Sequence, residues 1–321
     1  MRTRLFYVLM LLASLLAAVP MIYAQNVPMH IILPIGAGSG VDTIVRTAQT
    51  SLSKYLNQPV VIENLPGAGG ISGTQALVKA APDGNTIAFI SNNHAVNPSV
   101  FKSLPYDSLK DITPISVVGG SAFLLVTNPQ KIKAVNAKEL VNELKAKNSN
   151  FNYGSSGNGT VIHLGSAMFL DATGAQATHV PYKGMGPMLT DIIGGQVDFG
   201  IAASSTVQGY LKNGSLRAIG VMHKSRISSM PNLPTIAEQG FPEVDISGWF
   251  AVIGPSKLPA QQVKRIYEAV VAAFNDPEVK ATLGKTDTYI QPMSPEASAR
   301  YLKSEQDRYA KLVAKAGVHL D

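Results

Sequence analysis

The sequence predicts an α/β protein built as two lobes. Apolar runs of strand length alternate with helix-period segments from residue 28 to about 120, and the same alternation restarts after Pro129. In each half a glycine-bearing bend joins a strand to a helix: Pro34-Ile35-Gly36-Ala37-Gly38-Ser39-Gly40-Val41-Asp42 in the first, and Tyr153-Gly154-Ser155-Ser156-Gly157-Asn158-Gly159-Thr160 in the second.

In the first half the pattern predicts a strand at 30–35 and a helix at 42–56, whose apolar positions are Ile44, Val45, Ala48, Leu52 and Leu56. A strand at Val60-Val61-Ile62, a helix near 70–80 and strands at 86–90 and 115–118 follow. The second half opens with the strand Phe123-Leu124-Leu125-Val126 and an Asn136-headed capping box ending in Glu139, with Leu140, Val141 and Leu144 on one helical face. Strands at 151–153, 179–180, 197–201 and 216–222 then alternate with helices at 160–172 and 187–193. After a Pro/Gly-punctuated stretch, a strand covers 247–253 and two long helices close the chain, the second opening Ser294-Pro295-Glu296 with proline at the first helical position. Strands near 123–126 and 247–253 are the natural crossings between lobes. That puts 25–124 with 247–321 in lobe 1 and 125–246 in lobe 2.

The first 24 residues read as an export signal: Arg2 and Arg4, an apolar run from Leu5 to Val19, and Ile22-Tyr23-Ala24 before Gln25, with cleavage after Ala24. The chain has no cysteine, which excludes disulfides, thiolate chemistry and a lipidated anchor. A soluble, periplasmic mature form is expected. Without Arg2 and Arg4 the 27 basic residues fall to 25 against 21 acidic ones, with no Lys/Arg block, so nucleic acid is not an expected partner. A mildly basic surface suits an acidic ligand.

Both glycine bends are anion-receptive. At a helix N-terminus the first backbone N–H groups lack partners and the helix dipole favours negative charge, while Ser39, Ser155, Ser156, Asn158 and Thr160 add side-chain donors. Two such bends suggest a two-lobed clamp on something negative.

Motifs along essentially the whole mature chain add a family resemblance. They include Gly38-Ser39-Gly40-Val41-Asp42, Gln58-Pro59-Val60-Val61-Ile62-Glu63-Asn64, Pro66-Gly67-Ala68-Gly69-Gly70, His94-Ala95-Val96-Asn97-Pro98, Gly157-Asn158-Gly159-Thr160 with His163-Leu164, Val180-Pro181-Tyr182-Lys183-Gly184, Gly194-Gly195-Gln196-Val197-Asp198 and Trp249-Phe250. The sequence resembles the periplasmic solute receptors of tripartite tricarboxylate transporters, the Bug proteins. The resemblance implies a bilobed, type II periplasmic-binding-protein fold of two α/β domains joined by two crossing strands. It further implies a small organic acid held between the lobes and handed to integral membrane permease subunits, with no catalysis and no cofactor; a monomer is expected. Many relatives carry an aromatic and two prolines at Ile35, Gly36 and Ala37, Pro-Ser at Val161-Ile162, and Asp-Asn near Ala202-Ala203. Their replacement here implies a more apolar cleft.

The candidate ligand-binding residues are Ile35, Ala37, Gly38, Ser39, Gly40 and Asp42 in the first bend; Asn92 and His94 after the strand at 86–90; Ser155, Ser156, Gly157, Asn158, Gly159, Thr160 and His163 at the second bend; and Tyr182, Ser204 and Ser205 after strands of the second lobe. Asp42 is read first as helix-dipole and cap stabilisation and second as a ligand acceptor. His163 stands between an interior histidine and a cleft residue, and His94 is balanced between the two. Trp249 is read as hinge or core packing, and Lys183 as a solvated charge.

Enzymatic readings fail on spacing. In Gly36-Ala37-Gly38-Ser39-Gly40-Val41 valine stands where a dinucleotide fingerprint needs its third glycine; neither Ser39 nor Ser156 sits in G-x-S-x-G; Val279 replaces the first glycine of a phosphate loop ending Gly284-Lys285-Thr286. The six histidines form no H-x-x-x-H pair, so no metal site is expected.

Overall fold

β1 (Met29–Leu33) buries Met29, Ile31 and Leu33 on one side and Ile32 on the other, as a central strand covered on both faces requires. The computed structural model describes residues 27–146 and 150–316, so the expected export signal at 1–24 lies outside the described residues. β1 pairs in parallel with β2 (Val60–Asn64) and β3 (Thr86–Ser91). β9 (Ser247–Pro255) is antiparallel to β3 and to β4 (Ile112–Thr127). Further along, β4 pairs antiparallel with β7 (Phe199–Ala203) and β8 (Arg217–Val221), and β5 (Asn152–Ser155) joins β6 (Thr178–Pro181) and β7 in parallel. The parallel strands sit at the two ends of the sheet, and antiparallel β9 and β4 lie between them.

β4 is the structural link. Residues 112–122 pair with β9 and 123–127 pair with β7, so one strand serves both halves. The separate strands expected at 115–118 and 123–126 are therefore one. Gly119 makes room for the neighbouring strand: a Cβ on it would run into the Tyr289 carbonyl of β10 (Thr288–Ile290), which pairs with β4 there. A second link runs through Met222 and Ile246, whose N–H groups donate to Phe123 O and Met222 O.

α1 (Gly40–Leu56) buries Ile44, Val45, Ala48, Leu52 and Leu56 against the β1 face and α8 (Ala260–Asn275). Each of these side chains but that of Ala48 contributes about 1.5–3 kcal/mol. Asn57 ends α1 with a left-handed φ of 54°. α2 (Ile71–Val78) covers the other face. It approaches the first bend so closely that a Cβ on Gly73 would lie 2.8 Å from Pro34 Cα, so only glycine lets α2 buttress that loop. In the second half, α4 (Ala137–Lys145), α5 (Val161–Thr173) and α6 (Met185–Ile193) pack on the sheet. The predicted capping box forms: Asn136 Oδ1 accepts the Glu139 N–H at 2.9 Å, and the Glu139 carboxylate accepts from Asn136 Nδ2 and Val135 N. α10 (Pro295–Ala316) opens at the Ser294-Pro295-Glu296 signal and touches β4 and α5.

The pattern did not predict four elements: α3 (Asn92–Val100), α7 (Ser204–Lys212), α9 (Pro277–Gly284) and β10. α3 buries Asn92, His94 and Asn97 as well as apolar residues, and it carries Pro98. α7 has Val207 as its one buried apolar residue. Without an apolar stripe, neither shows helical periodicity. No helix among the described residues is long and apolar enough to cross a membrane.

Candidate ligand-binding site

A cavity of about 720 Å³ opens between the bend before α1, the bend before α5, the start of α3 and the crossing strands β4 and β9. Ser39 caps α1, its Oγ accepting the Asp42 N–H at 3.4 Å, which leaves the Ser39 hydroxyl proton available. The Gly40 and Val41 amides are the first donors of a 17-residue helix, have no partner among the described residues, and border the cavity. Opposite, Thr160 caps α5. Its hydroxyl donates to Gly157 O at 2.8 Å and accepts the His163 N–H at 3.4 Å. The Val161 N–H donates to Asn93 Oδ1 at 2.8 Å, and the N–H of Ile162, a residue of the cavity wall, has no partner among the described residues.

Of the sequence-derived candidates, the structure brings nine to the cavity wall: Ile35, Ser39, Gly40, Asn92, Ser156, Gly157, Asn158, Thr160 and Tyr182. The rest stand off it. Ala37 is exposed on the bend. Asp42, 4% exposed, accepts Gly38 N, Arg46 Nε and Asn64 Nδ2, each at 2.9 Å, so it braces the loop and takes up the Gly38 amide that was expected to face a ligand. The Gly159 N–H is likewise committed to His163 Nδ1 at 3.1 Å, and the Gly157 N–H to Ser155 Oγ at 3.2 Å.

His94 is buried, and His163 and His179 are half-buried. His94 Nε2 meets the Ser108 carbonyl at 2.7 Å, so that nitrogen carries the proton, and burial pushes the ring's pKa down to about 4. It sits beside the cavity, in a side alcove with Pro34, Gly70 and Asn97. His163 stacks on His179 with ring centroids 3.8 Å apart. Burial lowers the pKa of His163, and burial with the neighbouring His163 lowers that of His179 to about 4. Both are neutral at neutral pH, and the Gly159 N–H donates into the His163 Nδ1 lone pair. Burial and the hydrogen-bonded Asp191 carboxylate raise the Tyr182 phenol to about 12, so it keeps its proton and donates to Asp191 at 2.7 Å. Ser204 lies behind the wall, wholly buried, donating to Thr286 O at 2.9 Å. Ser205 faces Gly40: a Cβ there would lie 3.2 Å from Ser205 Oγ and 3.1 Å from Ala203 Cβ.

Several wall residues were not on the sequence-derived set: Asn93, Phe101, Ser121, Phe123, Met185 and Trp249. The missed helix α3 hid Asn93 and Phe101. Trp249 is held rigidly, its N–H donating to Asn92 Oδ1 at 3.0 Å and its indole N–H to the buried Glu305 carboxylate at 2.8 Å. One contact has catalytic geometry, Ser155 Oγ to His179 Nε2 at 2.6 Å. Ser155 is wholly buried off the cavity wall, with the Gly157 carbonyl and N–H on its hydroxyl, and among the described residues no carboxylate orients His179. It is a structural pair.

The family model described as "Tripartite tricarboxylate transporter family receptor" matches residues 44–318. The chain belongs to this family. Members of the tripartite tricarboxylate receptor family are periplasmic solute-binding receptors, not enzymes. The chain is 32% identical to protein BugT of Bordetella pertussis over 295 residues, 91% of this chain and 90% of BugT. Among solved structures, one described as a periplasmic transporter is 34% identical with a TM-score of 0.88, covering 93% of this chain and 100% of that one. MatC of Rhodopseudomonas palustris with bound malate has a TM-score of 0.84 at 26% identity, covering 89% and 98% of the two chains. Rpa4515 of R. palustris with adipate has a TM-score of 0.86 at 28%, covering 90% and 97%. The fold of this receptor is thus the bilobed one that the motifs implied.

Proposed function

We propose that this receptor encloses a small organic carboxylate between its two lobes and delivers it to the membrane components of a tripartite tricarboxylate-type transporter. The observation that carries the reading is the meeting of two helix N-termini at one cavity, with the amides of Gly40, Val41 and Ile162 and the Ser39 hydroxyl available to an anion. Micromolar binding corresponds to about 8 kcal/mol, and hydrogen bonds to a charged group contribute roughly 1.5–3 kcal/mol each. Three or four donors suffice once water is excluded, and closure of two lobes on the ligand excludes it. Neighbours with malate and adipate bound support a carboxylate as the ligand class.

In this reading lobe 1 comprises 25–124 and 247–321 and lobe 2 comprises 125–246, the mature protein is a periplasmic monomer, and export removes residues 1–24. Intact-mass analysis of periplasmic protein tests the last point; retention of 1–24 in the membrane would contradict it. The receptor reading is tested by thermal-shift screening of the purified protein with organic acids, sugars and amines. Stabilisation by acids is expected, and stabilisation by sugars or cations alone would overturn it.

A further inference from the structure

We infer that the ligand is charged at one end only: a monocarboxylate with an apolar aryl or alkyl body, not a compact di- or tricarboxylate. The inference rests on the carboxylate reading and concerns what the rest of the cavity accepts.

The groups able to bind an anion gather at one end. Gly40, Val41 and Ser39 lie at one bend, and Ile162 and Asn93 at the other. Lys183, the one cationic residue among the described residues of the cavity lining, belongs to the same end, since a Cβ on Gly36 of the first bend would lie 3.7 Å from its carbonyl. Among the described residues no arginine or histidine lines the cavity.

The remaining wall is apolar, with Phe101, Phe123, Trp249 and Phe250 among its residues. Two of its polar side chains, Asn92 and Ser121, are already occupied, and the Ser91 hydroxyl is the exception among the described residues. The Asn92 amide donates to Ser247 O at 3.0 Å and Tyr309 Oη at 2.6 Å, while its oxygen accepts the Trp249 N–H. Ser121 Oγ meets Ser204 Oγ at 3.4 Å and the Ala122 carbonyl at 3.5 Å. A second carboxylate placed there would have no cation and a single neutral hydroxyl, that of Ser91, to receive it, an arrangement that disfavours ionised groups strongly. An aryl or alkyl body meets none of that cost and gains by leaving water.

Calorimetric titration of the whole mature protein decides the point, using two probe sets. One is the series phenylacetate, phenylpropionate and phenylbutyrate with the linear acids butyrate, hexanoate and octanoate; the other is succinate, malate, adipate and citrate. The expected result is an affinity that rises about fourfold per added methylene until the cavity is full, with each diacid at least about tenfold weaker than the monoacid of equal chain length. Emission of Trp249, the only tryptophan in the chain, should shift on binding of the phenyl acids. Malate, adipate or citrate binding as tightly as the monoacids would overturn the inference and leave the carboxylate reading standing. Absence of binding by every acid in both sets would overturn both.

Discussion

Asn93 Oδ1 accepts the Val161 N–H at 2.8 Å, tying the first turn of α3 to the first turn of α5 across the mouth of the cavity. The contact satisfies one of the orphan amides of α5 and, by using the Asn93 oxygen, leaves its Nδ2 group as a donor on the cavity wall. Asn93→Asp keeps the acceptor and places a negative charge where the helix dipole favours it, so stability should hold. It also removes the donor and sets an anion beside the ligand's carboxylate. Affinity for acids should fall by about tenfold or more at neutral pH, the equivalent of roughly 1.5–3 kcal/mol. Calorimetry checks this, and unchanged affinity would remove Asn93 from the site.

Gly40 has no need of a left-handed backbone, yet a Cβ on it would come within 3.1 Å of Ala203 Cβ. Gly40→Val should therefore leave α1 folded while its branched side chain holds α1 and α7 apart. The expected outcome is a melting temperature close to that of the parent, ligand affinity reduced at least tenfold, and a larger radius of gyration in small-angle scattering with ligand present. Closure and binding both unchanged would show that this contact does not limit approach of the lobes.

Asp42 is a brace for the first bend, receiving hydrogen bonds from Gly38, Arg46 and Asn64. Asp42→Ala leaves the Gly38 amide without its acceptor and the Asn64 amide group with the Ile35 carbonyl alone, and should lower unfolding free energy by about 2–3 kcal/mol. Affinity should fall as a consequence of the altered bend. Denaturant titration checks the first effect; a loss of affinity with stability intact would instead make Asp42 a ligand contact.

The pH dependence of stability follows from the histidines. His94 and His179 are pushed down to about 4 and His163 is also lowered, against an ordinary value of 6.5. The folded chain keeps them neutral while the unfolded chain takes up protons below about 6.5, so unfolding binds protons in that interval. Stability contributed by neutral burial is fully present above 6.5, is lost progressively as pH falls from 6.5 towards 4, and changes no further once the folded rings also protonate. For the wholly buried His94 the loss between 6.5 and about 5 is about 2 kcal/mol. Urea midpoints at about pH 7.5 and pH 5 should differ accordingly, and His94→Gln should flatten the difference.

The alternation of strands and helices and the two glycine bends were legible because their causes are local: period-two and period-3.6 apolar patterns, and Ser39, Asn136 and Thr160 as caps. The state of the bends' amides was not. Gly38 and Gly159 look like anion donors in sequence, and only the folded positions of Asp42 and His163 show those donors already taken. Asn93 and Val161 are 68 residues apart, so no local pattern announces their contact. α3 and α7 escaped notice for a related reason: much of what they bury is polar, and partners such as Ser247 and Tyr309 of Asn92 are distant in sequence. The strands expected at 115–118 and 123–126 are one, and the close packing of Tyr289 against Gly119 cannot be seen from β4 alone.

The central claim is recognition of one carboxylate by the α1 and α5 N-termini. Its most direct test is a calorimetric comparison of the best-binding acid from the screen with its primary amide, an uncharged analogue of almost the same shape. The acid should bind in the micromolar range and the amide at least about tenfold more weakly, because several N–H dipoles and Lys183 act on a charge the amide lacks. Equal affinity of acid and amide would contradict it.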